Sequence, residues 1–295
     1  MKKTAAFIYA NNKFFYELAK IAKASFESFN KDIDCYIIYE PYDNDEVSAS
    51  FKKFHCSFSL ARSLGVEKVI CLGADTITCS RLSEFLDDDT TDILATLDYP
   101  RIINLGFKNS NEQNHVNADV VCFNNLGYLR EIINLLHNYP QKFITYSLGV
   151  DSTHLDKKEI LIRFFKENFS EQGALNCLLF SGEYDPSFKI VDSPYPDSKV
   201  AYNCRGKGNI NSSNPEDYKP YISKYKVIDN QLFTHDDCNI KVFHYCAGLG
   251  SQGTLLESEK LLNKYLSFFN DDTKDFFRKN IKTNFFDKEL HLTHK

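Results

Sequence analysis

The chain has 295 residues, of which 43% are hydrophobic and 25% are charged, values close to the average of folded globular proteins. Disordered and fibrous proteins are therefore excluded. A formal net charge of -5 gives no overall basic field that would attract nucleic acid. The length fits one large domain or two small ones, and it leaves an enzyme or a binding domain as the candidates.

The nine cysteines form no C-x-x-C pair, and several lie within apolar runs that suit a small buried thiol. This usage is typical of a reducing compartment. The opening MKKTAAFIYANNK resembles a secretory signal, but its apolar run is too short, so we interpret it as a first strand. No stretch approaches the roughly 20 apolar residues of a membrane-spanning helix. A cytoplasmic protein is therefore expected.

The first third of the chain alternates between strand and helix patterns. Strands are predicted over TAAFIYA, DCYIIYE, VEKVICLGADTIT and TDILATLDYP. Helices are predicted over FFYELAKIAKASFESF and over VSASFKKFHCSFSLARSLG, where Gly65 is the expected C-terminal cap. This βαβαβ order predicts a parallel sheet covered by helices.

Further along, NADVVCFNN is a predicted strand, and LGYLREIINLLHNY and SEQGALNCLLF are predicted helices, the second with Ser170 as its N-cap. From Ser193 to about Asn214 the chain is rich in Pro, Asn, Ser and Gly, which favours a surface loop. IKVFHYCAGLGSQG is a predicted strand that ends at a histidine and glycines. An amphipathic helix is expected from Leu255 onward.

Several polar side chains occur at or just after the ends of predicted strands. They are Tyr9, Asn11, Asn12, Asp75 and Asp98. Because ligands of such sheets bind beyond the carboxyl ends of the strands, one cleft could collect these residues. A lone Asp after a strand is nevertheless more often a turn or cap residue.

Five segments follow one another in a particular order: FIYANNKFFYELAKIAKASF, VEKVICLGADTIT, VNADVVCFNN, SEQGALNCLLF and VFHYCAG. They resemble, in that order, five motifs of the GT-A-fold glycosyltransferases of the glycogenin and bacterial lipopolysaccharide galactosyltransferase type. These motifs are the opening strand with its nucleotide-binding turn, the strand ending in D-x-D, the N-x-G-V strand, the D-Q-x-x-L-N helix and the late H-F-x-G. The resemblance extends from residue 4 to about residue 250.

The resemblance implies a divalent metal, Mn²⁺ or Mg²⁺, that stabilises a diphosphate leaving group. Asp75 matches the second carboxylate of D-x-D and His244 matches the late histidine, so both are implied metal ligands. Gly73 stands where the family has the first carboxylate, and this departure predicts weaker metal binding or an altered donor contact. Taken alone, His244 is equally well explained as an ordinary polar residue at a strand end.

The resemblance also implies contacts to the donor. The implied donor-binding residues are Tyr9, Ala10, Asn11, Ala74, Asn117, Asp119 and Gly248. Asp119 stands where the family more often has glycine. Asn117 and Asp119 lie two apart on a strand and suit sugar hydroxyls, although a bulge entering the strand is the alternative. The acid that the family often carries for uracil is not found near the first turn.

Glu171 and Gln172 match the family's Asp-Gln, which implies catalytic roles for both. Glu171 would hydrogen-bond sugar hydroxyls, and Gln172 would lie under the anomeric carbon. The alternative is a plain helix start, in which the acid complements the helix dipole.

The predicted fold is a GT-A-like α/β domain over residues 1–254, with a mostly parallel central sheet flanked by helices, and a helical C-terminal extension over 255–295. The implied activity is retaining transfer of a hexose from a nucleotide sugar, UDP-sugar first, to a saccharide or glycolipid acceptor. A non-catalytic sugar-nucleotide binder and a sugar-phosphate nucleotidyltransferase are the alternatives. The end of the chain, rich in aromatics and lysines, could contact a membrane surface, but packing on its own domain is more common.

Overall fold

The structure is a computed structural model that describes residues 2–40, 46–97, 116–138, 170–180, 182–192, 199–202, 222–244 and 258–281. The helices in this part are α1 (Lys13–Phe29), α2 (Glu46–Leu64), α3 (Ser83–Leu86), α4 (Leu126–Asn138), α5 (Ser170–Phe180), α6 (Ser258–Leu266) and α7 (Asp271–Asn280).

In the described residues the strands are six from the first part of the chain and six later ones, each of two or three residues. The first are β1 (Thr4–Ala10), β2 (Asp34–Tyr39), β3 (Lys68–Leu72), β4 (Thr76–Thr78), β5 (Ile93–Leu97) and β6 (Val116–Phe123). The second are β7 (Phe188–Ile190), β8 (Val200–Ala201), β9 (Lys226–Ile228), β10 (Gln231–Phe233), β11 (Asn239–Ile240) and β12 (Val242–His244).

Six strands form the central sheet in the order β2-β1-β3-β6-β5-β7. The β2-β1-β3 group is parallel and so is the β5-β7 pair, whereas β6 is antiparallel to both of its neighbours. The predicted α/β fold with a mostly parallel central sheet is therefore confirmed. The reversed strand β6 has a consequence for the site, because its amino end lies at the edge where β1 and β3 end.

Strand β3 is buried along its whole length, which explains why its sequence is a continuous apolar run rather than an alternating pattern. Ile70 and Leu72 enter the core layer beneath α1, while Val69 and Cys71 enter the layer beneath α2, α4 and α5. Successive side chains of a strand point to opposite faces, so the central strand supplies both layers.

The first two helices have the expected end signals. Asn12 caps α1, its side chain accepting a hydrogen bond from the Phe15 backbone N–H at 2.9 Å. Helix α2 ends as predicted at Gly65, whose φ of 63° is in the left-handed region. The Val66 N–H then reaches the carbonyl of Ala61 at 2.8 Å, which closes a Schellman-type cap.

Two predictions of local structure need correction. Ser170 lies inside α5 as its first residue, not before it as an N-cap. The expected C-terminal helix is two helices, because Asn270 interrupts the run and caps α7 by accepting from the Thr273 N–H at 2.9 Å. Most of the loop predicted between Ser193 and Asn214 lies outside the described residues.

The two C-terminal helices pack against α1. The backbone N–H and the hydroxyl of Ser258 donate to the Glu17 carboxylate at 3.1 and 2.5 Å. The Phe276 ring stacks on Phe29 with ring centroids 5.9 Å apart, and Phe277 is fully buried. These two aromatic residues are therefore not available to a membrane surface.

No helix in the described part of the chain combines the length and the apolar character needed to cross a bilayer. Contact of the remaining C-terminal residues, 282–295, with a membrane stays a prediction. Liposome sedimentation of the chain with and without those residues checks it, and equal sedimentation would count against it.

Removal of the Phe277 ring tests the docking of α7. We expect Phe277→Ala to lower the free energy of unfolding by about 3–5 kcal/mol, because the ring is fully buried and its loss leaves a cavity. Arg278→Ala is the matched control, since its side chain is 60% exposed and pairs with the exposed Asp275 on the same helix. Urea denaturation measures both, and equal effects would contradict the packing.

Candidate functional site

The site lies at the edge of the central sheet where β1 and β3 end. Ile8 of β1 is opposite Leu72 of β3, so the residues that follow both strands are neighbours. Antiparallel β6 begins at the same edge, with Val120 opposite Leu72 and the Gly73 N–H donating to the carbonyl of Asp119 at 2.7 Å. Three chain segments thus converge here.

A small two-stranded sheet brings in the histidine. The chain turns after β3 through Gly73, Ala74 and Asp75 and continues as β4, which pairs antiparallel with β12. In this register His244 is opposite Thr76, the residue directly after Asp75. The pairing therefore places the imidazole beside a carboxylate that is far away in sequence.

Asp75, Asp119 and His244 form a compact cluster, in which one potential ligand atom from each lies within 4.8 Å of the others. The Nε2 atom of His244 is 3.2 Å from Asp75 Oδ1 and 3.8 Å from Asp119 Oδ2. The His244 side chain is only 2% exposed, while the Asp75 and Asp119 side chains are 13% and 33% exposed. The cluster is thus fixed on the histidine side and open on the carboxylate side.

This set of atoms fits a divalent cation. Mn²⁺ and Mg²⁺ favour carboxylate oxygens, imidazole also suits first-row metals, and metal-ligand bonds of about 2.0–2.2 Å place ligands on opposite sides of one ion about 4–4.5 Å apart. Ligands at adjacent positions of the same ion lie about 3 Å apart, and the distances of 3.2 and 3.8 Å from the His244 Nε2 to the two carboxylates fall between these two values. Asp75, Asp119 and His244 would hold the ion, and the remaining positions would be left to other oxygen ligands.

A buried lysine belongs to the same site and was not predicted. Lys53 of α2 donates from its Nζ to the carbonyl of Ala118 at 2.9 Å and forms a short ion pair with the Asp119 carboxylate. Burial by itself lowers the pKa of the Lys53 ammonium, but the carboxylates of Asp119 and Glu171 outweigh it, so the pKa lies above its usual value. Lys53 therefore stays charged beside the cluster.

A network of amide side chains ties α5 to the start of β6. Gln172 Oε1 accepts from the Asn117 Nδ2 and from the Ala118 N–H, both at 3.2 Å. Asn176 brackets Val116, accepting from its N–H and donating to its carbonyl, each at 2.9 Å. The Gln-x-x-x-Asn spacing thus has a structural function in this chain, because it pairs the backbone of an irregular strand.

The irregularity is in the pairing of β5 with β6. Ala95 is opposite Val121, whereas the next residue, Thr96, is opposite Asn117, and the skipped residues include Asp119. The Asn117 side chain accepts from the Asp119 N–H at 2.7 Å, which supports the backbone where the ladder is interrupted. The bulge considered from the sequence is present, and it directs the Asp119 carboxylate into the cluster.

The other predicted site residues are distributed as follows. Tyr9, Ala10 and Asn11 lie at the end of β1, and Ala74 lies in the turn between β3 and β4. Glu171 is in the first turn of α5, close enough to Lys53 to raise its pKa. Gly248 and Asp98 lie outside the described residues.

The sequence has no acid near the turn after β1, but the structure brings one there from the end of β2. Glu40 directly follows β2, and its backbone N–H donates to the carbonyl of Ala10 at 3.1 Å. Its buried carboxylate pairs with Lys52 at 3.3 Å. The parallel pairing of β1 with β2 was the signal that could have placed this acid, since both strands were predicted.

No family model and no curated protein matches the chain. Among solved structures, the fold is similar to a glycosyltransferase involved in the glycosylation of the major capsid of PBCV-1, at 13% identity and a TM-score of 0.49, over 88% of this chain and 98% of that one. It is also similar to the galactosyltransferase LgtC, solved with donor and acceptor sugar analogs, at 14% identity and a TM-score of 0.43, over 95% of this chain and 97% of that one.

A third similar structure is the bifunctional glycosyltransferase WbbM, at 11% identity and a TM-score of 0.47. The match covers 96% of this chain but only 50% of WbbM. All three proteins are glycosyltransferases by name. At these identities the likeness concerns the path of the chain alone, and the chemistry has to be argued from the residues of the site.

Proposed function

We propose that the chain is a metal-dependent glycosyltransferase that moves a hexose from a nucleoside-diphosphate sugar to a saccharide or glycolipid acceptor. UDP-sugar is the first donor to consider. The main support is one observation: two carboxylates and a buried imidazole meet at the carboxyl edge of the sheet, beside the turn that follows β1. The three residues come from motifs that are far apart in the sequence, and no one of these motifs alone accounts for their clustering.

In this proposal the donor lies across the edge of the sheet. The end of β1, with Tyr9 and Ala10, and the following Asn11 receive the nucleobase and ribose, and the diphosphate lies at the cluster. A divalent cation held by the cluster supplies positive charge to the leaving diphosphate. Ala74 and Gly248 are proposed donor contacts as well.

The sugar is proposed to lie near the amino end of α5, where polar groups of α5 and β6 are close together. Glu171 and Asp119 are the proposed partners of its hydroxyls, and the ammonium group of Lys53, which interacts with both, is a fixed positive charge beside them. Asn117 is 2% exposed, and its amide bonds to Gln172 and to the Asp119 N–H. The proposed role of Asn117 is therefore to position Asp119, because a side chain this buried has little surface with which to contact a ligand.

The contacts of Gln172 bear on whether the transferred hexose keeps its anomeric configuration. Its Oε1 atom, which would have to attack the anomeric carbon in a double displacement, accepts two hydrogen bonds from β6. An amide oxygen is a weak nucleophile, and these bonds withdraw its electron density further. We therefore propose retention by a same-face route, in which the departing phosphate helps to deprotonate the acceptor.

Two other functions are compatible with parts of the site. A non-catalytic sugar-nucleotide binder would have the same cluster and would show donor binding without turnover. A sugar-phosphate nucleotidyltransferase is less favoured, because such enzymes usually carry a glycine-rich loop with a basic residue after the first strand, and YANNKFF has no glycine.

A nucleotide and metal screen tests the donor site. We expect UDP or a UDP-sugar together with Mn²⁺ to raise the melting temperature by a few degrees, since a ligand at about 100 times its dissociation constant stabilises by about 2.7 kcal/mol. The shift should disappear in Asp75→Ala and in His244→Ala. Differential scanning fluorimetry measures it.

Asp34→Asn is the control for this screen, because Asp34 is an exposed residue at the opposite end of the sheet, where β2 begins. It should keep the full shift. If no nucleotide stabilises the wild-type chain at any metal concentration, the glycosyltransferase proposal loses its support. If the donor raises the melting temperature but no UDP is released with any acceptor tested, the non-catalytic binder is favoured.

The same-face route is tested on the product. We expect ¹H NMR to show the transferred hexose with the anomeric configuration of the donor. Intact-mass spectrometry after incubation with donor alone should show no added hexose on the chain. An inverted product, or a hexosyl adduct that disappears in Gln172→Ala, would contradict the same-face route.

A further inference from the structure

Gly73 is a glycine for reasons of space and not of conformation. Within the described residues, the glycines with left-handed φ are Gly65 and Gly182, and Gly73 is not among them. A Cβ atom built on Gly73 would lie 2.9 Å from the Cβ of Asp119 and 3.1 Å from its Cγ. Carbon atoms do not approach this closely, so a side chain at position 73 and the present one at 119 exclude each other.

The volume above Gly73 is filled by a carboxylate. The same Cβ would also lie 2.9 Å from Asp75 Oδ1, so this volume is inside the cluster. Asp119 reaches it from the neighbouring strand, with Oδ2 3.8 Å from the His244 Nε2. An acid at position 73 would direct its carboxylate toward the same place.

We infer that Asp119 serves at the cation site in place of an acid at position 73, and that an acid can stand at either position but not at both. The sequence is consistent with this inference. Gly73 stands where the family that the chain resembles has an acid, and Asp119 stands where that family more often has glycine. The inference rests on the proposed function, because it assigns a ligand to the cation site proposed there.

Lys53 positions the carboxylate of Asp119. Its ammonium group is held by the carbonyl of Ala118, the residue directly before Asp119, and it binds Asp119 Oδ1. This contact leaves Oδ2 directed at His244. One oxygen of the carboxylate is therefore anchored to α2, while the other faces His244 within the cluster.

Exchange of the two side chains tests the inference. Mn²⁺ alone is titrated into wild type, Asp119→Gly and the double variant Gly73→Asp/Asp119→Gly, with free Mn²⁺ measured by electron paramagnetic resonance. We expect Asp119→Gly to weaken binding at least tenfold and the double variant to recover to within about threefold of wild type. Gly73→Ala/Asp119→Gly is the matched control; it fills the space without a charge and should bind as weakly as Asp119→Gly.

The steric exclusion between the side chains at positions 73 and 119 is tested separately, by the melting temperature. Gly73→Ala in the wild-type background should lower the melting temperature by several degrees, because the added carbon meets the Cβ of Asp119. The same change with glycine at position 119 should lower it clearly less, because only the contact with the terminal Oδ1 of Asp75 remains. Equal destabilisation in the two backgrounds would overturn the mutual exclusion. Asp119→Asn keeps the shape of the side chain and gives a metal-binding readout if the glycine variants do not fold.

The outcomes separate this inference from the proposed function. If wild type binds Mn²⁺ and Asp119→Gly or Asp119→Asn binds it equally well, Asp119 is not a ligand and the inference fails, while the glycosyltransferase proposal stands. A double variant that folds but binds as weakly as Asp119→Gly also overturns the inference. If the exchange restores Mn²⁺ binding but no nucleotide sugar binds, the inference stands and the proposed function fails.

Discussion

The pairing of β4 with β12 is the contact on which the candidate site depends. Strands of three residues are too short to be stable alone, so this pair is held by what it packs against. All of its residues are buried, and the Phe243 ring meets Phe269, which follows α6, edge-to-face at a centroid distance of 5.3 Å. The C-terminal helices therefore support His244 although they contribute no side chain to the cluster.

The charges of the cluster are partly balanced by groups of the protein itself. Two carboxylates that face each other in a partly buried place repel, and each loses hydration. Lys53 offsets one of them through a direct ion pair, and the imidazole of His244 faces both. Because Lys53 already neutralises part of the charge, the cluster attracts a cation less strongly than two unpaired carboxylates would. In the proposed reaction, the diphosphate adds the remaining negative ligands.

The sequence predicted the main sheet well and the smaller sheets poorly, for a physical reason. Buried strands of the main sheet carry apolar runs, Val69–Leu72 in β3 and Val120–Phe123 in β6, whereas the strands from β7 to β12 are only two or three residues long. One signal was overlooked: Asp229 and Asn230, both with positive φ, join β9 to β10 in the turn that such hairpins favour. Asp75 and His244 were found from motifs, but Lys53 depends on how α2 packs over β6, which spacing along the chain does not encode.

A sequence motif such as D-x-D reflects the need for a negative charge at a particular position in space. Position 73 has neighbours on two strands, and they are not equivalent. On the β1 side the chain continues from Ile8 into the bulky Tyr9, whereas on the β6 side the interrupted ladder brings Asp119 within carbon contact of Gly73. In the inferred exchange, β6 is therefore the strand that supplies the acid without moving the charge. What has to be kept is the place of the carboxylate, and the strand that supplies it is secondary.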